Sequence, residues 1–422
     1  MGSLLMLGLA MELLNTSSGP ATSQSTSGQI TEAWLDQKLI DWKPTSAYRL
    51  DFGALGARLS YNSFAHPWNS DPVINSSLQM LYSTGANVIR IDMNYDPWLK
   101  NDQAQIGRYD KYVASIRANG KQLFIADMAA QSYFDNPQSW SQFKAAWIQR
   151  VQTLASRYHP EFYEVVKEPG WYFSMISWTD LLTNPAVRNP SEWSNLTIQL
   201  VNAVASVSPT TKIGVADAAG ALYHDNYLPV FSTTYLTSAF KMSRLSFVGL
   251  DIYGRQDFND TQRYLSQTPR NGKDIWIPEA WSTSAKFATD PTRAALDAKW
   301  IRVLYYFAIR INAQGIAPFF TDLFASYQTP PQDATLLLSY FGNRTPAFYE
   351  FQKIIFENGP SGGQNTSTTL SSTTTQTTLS ATTSSTVAVR HAADPLQDVA
   401  LVGVLVAIVG ITAIFLLKKF RG

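Results

Sequence analysis

Between residues 55 and 320, short apolar runs rich in Val, Ile, Leu and Phe alternate with longer stretches of amphipathic pattern. The apolar runs fall at 55–61, 87–92, 122–127, 162–166, 212–217, 245–252, 274–277 and 316–320. Several show little alternation, as expected of strands buried on both faces of a parallel sheet. Helical periodicity is clearest at 76–83, 111–118, 140–157, 191–207 and 292–311. One of these stretches runs into Ala118-Asn119-Gly120, a sequence suited to a left-handed cap. No Pro/Gly/Ser-rich break and no short internal repeat interrupts the region, so residues 30–359 read as one domain. Eight strands with helices between them predict an α/β fold, a (β/α)8 TIM barrel, for which about 250 residues is typical. Neither GxGxxG nor GxxxxGK[ST] occurs, which disfavours a doubly wound nucleotide-binding sheet.

The pattern changes at both ends. Residues 399–417, VALVGVLVAIVGITAIFLL, carry no charge, and a helix needs roughly 20 such residues to cross a bilayer core. Lys418, Lys419 and Arg421 follow directly and predict a cytoplasmic C-terminus. A single transmembrane helix with a short basic tail is therefore expected in 394–422. Residues 360–393 are dominated by Ser and Thr with almost no aromatics, a composition for a disordered, O-glycosylated stalk. Residues 1–29 read as a weak signal peptide or uncleaved leader followed by a polar segment. This layout puts the barrel outside the cell, joined to the membrane through the C-terminal helix.

Composition narrows the chemistry. There is no cysteine, so no disulfide, thiolate metal site or Cys nucleophile exists. The 33 basic and 32 acidic residues give a net charge of +1, no footprint for nucleic acid. Four scattered histidines form no HExxH motif, and neither a metal nor a cofactor is expected. Glycosylation sequons occur at Asn15, Asn75, Asn195, Asn259, Asn343 and Asn365. Charged residues make up only 15 % of the chain, a surface that suits an acidic exterior. With the stalk, the span and the absence of cysteine, it reads as a surface protein of archaeal type.

In a TIM barrel the chemistry sits at the C-terminal ends of the strands. Two glutamates close apolar strands there: Glu168 in FYEVVKEPGW and Glu279 in DIWIPEAW. On the fourth and seventh strands their side chains would project into one mouth. Glycoside hydrolysis needs such a pair, one carboxyl to protonate the departing oxygen and one to attack the anomeric carbon. The plain alternative is that both are helix-start residues, since Glu favours first turns.

Over about residues 55–356 the chain resembles clan A glycoside hydrolases, the retaining (β/α)8 enzymes that include cellulases, mannanases and β-glucosidases. The resemblance implies Glu168 as acid/base and Glu279 as nucleophile. It further implies Tyr253, in GLDIYG, as the tyrosine that hydrogen-bonds the nucleophile, and Arg90, in TGANVIRI, as the strand-two arginine. Two departures stand out. Lys167 occupies the place of the clan's asparagine before the acid/base, where its charge would lower the pKa of Glu168. The strand-eight aromatic, commonly Trp, is matched only by Phe319, Phe320 or Phe324.

Trp98, Trp171 and Trp281 lie near strand ends and are candidates to cover the apolar faces of sugar rings, or to pack in loops and core. Asp92, Asp127, Asp217 and Asp251 also end strands, where they would bind sugar hydroxyls, orient Arg90 or pair with structural neighbours. The expected activity is retaining hydrolysis of β-linked oligo- or polysaccharide outside the cell. The alternative is an inactive carbohydrate-binding or adhesive surface protein.

Overall fold

In a computed structural model, residues 30–45, 51–55, 71–93, 98, 100–130, 139–170, 185–224, 230–280, 291–318 and 344–358 are described. In chain order the elements are α1 Glu32–Asp41, β1 Asp51–Leu55, α2 Asp71–Ser83, β2 Val88–Met93, α3 Gln103–Ala118 and β3 Gln122–Asp127. There follow α4 Trp140–Tyr158, β4 Phe162–Lys167, α5 Pro190–Val207, β5 Lys212–Ala218, α6 Ala221–His224 and α7 Phe231–Ala239. The last are β6 Phe247–Asp251, α8 Arg255–Gln267, β7 Asp274–Ala280, α9 Pro291–Arg310, β8 Gly315–Pro318 and α10 Pro346–Asn358. The strands are all parallel and close in sequence order, with β8 paired to β1 through Asp51–Gly315 and Phe52–Ile316.

Helix ends follow local chemistry. The Asp102 side chain accepts from the Gln105 N–H (3.1 Å) at the start of α3. Asn189 accepts from the Ser191 N–H (3.0 Å) ahead of Pro190, the first residue of α5. The predicted cap after α3 is present: Gly120 takes φ +64°. Helix α4 is amphipathic: Trp140, Phe143, Trp147, Val151 and Leu154 turn one face into the core.

The barrel is filled in layers. Val88, Phe124, Phe162, Phe247 and Trp276 form a separate apolar cluster at its base, with Phe162 and Trp276 ring centroids 4.9 Å apart. Two glycines make room for these rings. A Cβ on Gly214 would lie 2.3 Å from the Phe247 ring, and one on Gly315 2.5 Å from the Trp276 ring. The Arg90 guanidinium sits 5.6 Å from the centroid of Phe124, so the aromatic layer is the floor of a polar one.

The first strand differs from expectation. It occupies Asp51–Leu55 and overlaps the predicted 55–61 only at Leu55. Pairing with β2 and β8 on both edges fixes it, at the cost of a Gly inside and an Asp at its start. Helices α1, α6, α7, α8 and α10 have no counterpart among the predicted stretches. The stalk, the apolar 399–417 segment and the leader lie outside the described residues. Among those residues, no helix is long and apolar enough to cross a membrane.

Candidate active site

Strand alternation decides which side chains meet inside the barrel. On β2, Arg90 and Asp92 follow Val88 inward, and on β4 Glu164 follows Phe162. A register shift between Glu164 and Val166 lets Lys167 turn in as well. Glu168 then leaves the strand with φ +47°, an unusual value for a residue with a side chain. Its backbone is nevertheless held: the N–H of Glu168 donates to Ala216 O (2.8 Å), and that of Gly170 to Asp217 Oδ2 (3.1 Å). Asp217, one of the strand-end aspartates, thus pins the turn that carries Glu168. A second shift, between Ile277 and Ala280 on β7, accompanies the placement of Glu279.

Glu168 and Glu279 do converge. One carboxyl oxygen from each, together with one from Asp251 at the end of β6, lie within 4.8 Å of one another. All three residues are buried. Two cations serve this group. Arg90 lies 3.3 Å from Glu279 Oε2, 3.4 Å from Glu164 Oε2 and 3.4 Å from Asp92 Oδ1. Its guanidinium also donates to the Pro278 carbonyl, one residue before Glu279. Lys167 Nζ lies 2.5 Å from Glu279 Oε2, 3.2 Å from Asp92 Oδ2 and 3.9 Å from Glu168 Oε2.

These contacts revise two expectations. Lys167 donates to Asp92 and pairs more closely with Glu279 than with its chain neighbour, because its long stem reaches across the mouth. Burial works against its charge, yet Asp92 and Glu279 outweigh that and leave the ammonium held more firmly than in water. Tyr253, expected on the nucleophile, donates its hydroxyl to Glu168 Oε1 (2.5 Å). Its backbone is fixed from helix α8, where Asp257 Oδ2 accepts from the N–H groups of Tyr253 (2.7 Å) and Gly254 (2.9 Å).

Asp127 belongs to another environment. Phe124 faces inward, and three positions on, Asp127 turns to the helical layer. There it accepts from the Tyr163 hydroxyl (2.8 Å), the Ala129 N–H (2.9 Å) and Arg150 of α4. It is a structural partner, not a group of the mouth. Trp98 likewise packs against Tyr109 of α3 and Tyr158 of α4, at centroid distances of 6.4 and 6.0 Å. Trp171, Trp281 and the phenylalanines after β8 lie outside the described residues.

Glu164 carries a role that sequence reading did not assign. Burial raises its pKa to about 8, more than Arg90 and Lys167 lower it, so it holds a proton at neutral pH. The available signal was a glutamate in the middle of the apolar run FYEVV, opposite an equally misplaced arginine in VIRI. Asp251 is pushed well above the carboxylate range, first by burial and then by Glu168 and Glu279.

No protein-family model and no curated protein matches the sequence. Solved structures do match. A GH5_18 protein from Streptomyces cattleya in complex with GlcNAc aligns with TM-score 0.55 and 12% identity, over 74% of this chain and 81% of that one. A β-glucosidase from Thermotoga maritima in complex with noeuromycin aligns with TM-score 0.51 and 9% identity, over 75% and 99%. An exo-β-1,4-mannosidase from Opitutaceae bacterium strain TAV5 gives 0.51 and 11% over 73% of this chain, which spans only 59% of that enzyme. At such identities the likeness is one of fold: the chain is built on the parallel (β/α)8 barrel seen in these glycoside hydrolases.

Proposed function

We propose that the protein is a retaining glycoside hydrolase acting on β-linked oligo- or polysaccharide, with Glu168 as acid/base and Glu279 as nucleophile. The observation that carries this reading is the approach of these two carboxyls, from β4 and β7, to within 4.8 Å at the C-terminal end of the barrel. Retaining enzymes set the pair about 5–5.5 Å apart, too close for the water an inverting enzyme needs. In the first step the Glu279 carboxylate attacks the anomeric carbon while Glu168 protonates the leaving oxygen. In the second, Glu168 takes a proton from water, which displaces Glu279 and restores both groups. Arg90 and Lys167 both pair with Glu279 Oε2 and fix its angle of attack. The apolar 399–417 segment and the Ser/Thr tract before it support a barrel tethered outside the cell, facing external polysaccharide or neighbouring surface glycans.

One contact favours the second reading, an inactive carbohydrate-binding barrel: the 2.5 Å approach of Lys167 Nζ to Glu279 Oε2 engages the would-be nucleophile. The purified protein should be assayed on β-linked polysaccharides and aryl glycosides at acidic and neutral pH, with the anomer formed first followed by NMR. Net retention, lost with Glu168→Ala, is expected. Inversion would refute the mechanism. Glycan binding with no turnover on any substrate would establish the second reading.

A further inference from the structure

The polar layer of the barrel contains more acid than base. Asp92, Glu164, Glu168, Asp251 and Glu279 face two cations, Arg90 and Lys167. Both cations already lie against other acidic side chains, Arg90 against Asp92, Glu164 and Glu279, and Lys167 against Asp92, Glu168 and Glu279. Asp251 is left out of these pairs. It is fully buried, and among the described residues neither of its carboxyl oxygens accepts a hydrogen bond. An ionised carboxylate in that position would sit without a donor, within 4.8 Å of two more carboxyls. Glu164 and Glu168 from the β4 side and Glu279 from β7 present acid to it, and Arg90 from β2 is the cation that bears on it. Its neighbour on β5, Ala218, brings no charge. The arrangement is tolerable if Asp251 is uncharged.

We propose that Asp251 is a positioning residue of this site: a neutral carboxylic acid that carries a proton of its own, besides the one on Glu164, between Glu168 and Glu279. The role rests on the glycosidase reading, because it concerns the charge those two glutamates experience. A neutral Asp251 removes one negative charge from beside the pair, so one of them can ionise while the other stays protonated. Its direction agrees with the upward push that burial and the two glutamates exert on it.

Infrared spectroscopy of the full-length protein tests the proton directly, since a protonated carboxyl has a carbonyl stretch distinct from that of a carboxylate. At neutral pH wild type should show such a band, Asp251→Asn should lose part of it, and Glu164→Gln should lose a separate part. In Glu168→Gln, which keeps Asp251 and removes one flanking charge, the Asp251 part should vanish at lower pH than in wild type. This variant carries the test if Asp251→Asn does not fold. In kcat/KM profiles, the alkaline limb should change from a two-proton slope to a one-proton slope in Asp251→Asn, a change that a merely structural aspartate would not cause. A protonated band unaltered in both Asp251→Asn and Glu168→Gln overturns the proposal. So does loss of the band, with a raised Tm, on adding magnesium, calcium or manganese, which would make the three carboxyls a cation site. A neutral Asp251 in a protein that hydrolyses no glycoside would keep the proton assignment and retire the glycosidase reading, so the two failures are distinguishable.

Discussion

Lys167 holds two buried carboxylates at once, Glu279 at 2.5 Å and Asp92 at 3.2 Å. Removing one member of a buried ion pair leaves the other charge without compensation, at a cost of about 3–5 kcal/mol. Lys167→Met should therefore lower the free energy of unfolding by about that amount in a denaturant titration. A loss within experimental error would mean that the carboxylates have other partners. Glu164 makes a complementary prediction about pH. Its carboxyl moves from the ordinary glutamate value of 4.5 up to about 8 in the fold, so the native state binds the proton more tightly than the unfolded chain. Its contribution is then fully present below about pH 4.5 and is lost as pH rises through about 8. Thermal unfolding of Glu164→Gln should lose less stability across that window than wild type does. Identical pH profiles would contradict the assignment.

Two elements owe their geometry to glycines that leave no room for a side chain. A Cβ at Gly315 would meet the Trp276 ring at 2.5 Å, with both residues inside the barrel. Gly315→Val should destabilise the protein by roughly 1–3 kcal/mol or more, read as a shifted denaturation midpoint. Gly170 has a different importance. A Cβ there would lie 1.8 Å from Ser232 Oγ and 2.6 Å from Asp217 Oδ2, the atom that pins the turn after Glu168. Gly170→Ala should displace Glu168 and depress kcat by roughly a hundredfold, since misplacing a reacting group by about 1 Å costs that much. An unchanged kcat would show that the turn has slack.

The same elements explain what could be read from the sequence. β3 coincides with its predicted run because it is a short continuous apolar stretch, and α4 differs by one residue because its apolar positions recur on a helical period. α8, RQDFNDTQRYLSQ, escaped notice because its buried face is small, chiefly Phe258, Thr261 and Tyr264 among polar residues. The carboxylate pair was legible because each glutamate closes an apolar strand. The partner of Tyr253 was not: a chain position cannot say which of two glutamates in one mouth a hydroxyl meets. For Asp127 the sequence leaves sugar binding and structural pairing open, and strand alternation decides for the second by turning it to Arg150 and Tyr163.

At the scale of the whole molecule, eight parallel strands bring acids from four of them to one end, above a floor of aromatic rings. Two fixed cations, Arg90 and Lys167, hold the Glu279 carboxylate at that end in one position, as its proposed role as nucleophile requires. The central claim is that Glu279 forms a covalent bond to the sugar, and the most direct measurement is chemical rescue. Glu279→Ala, assayed on an activated aryl β-glycoside, should lose roughly a hundred- to ten-thousand-fold or more in kcat. Added azide should restore turnover and yield the glycosyl azide of inverted configuration, because the small anion enters the space left by the carboxylate. Glu279→Ala with wild-type activity, or an inactive variant that no azide concentration restores while wild type inverts its substrate, would contradict the account.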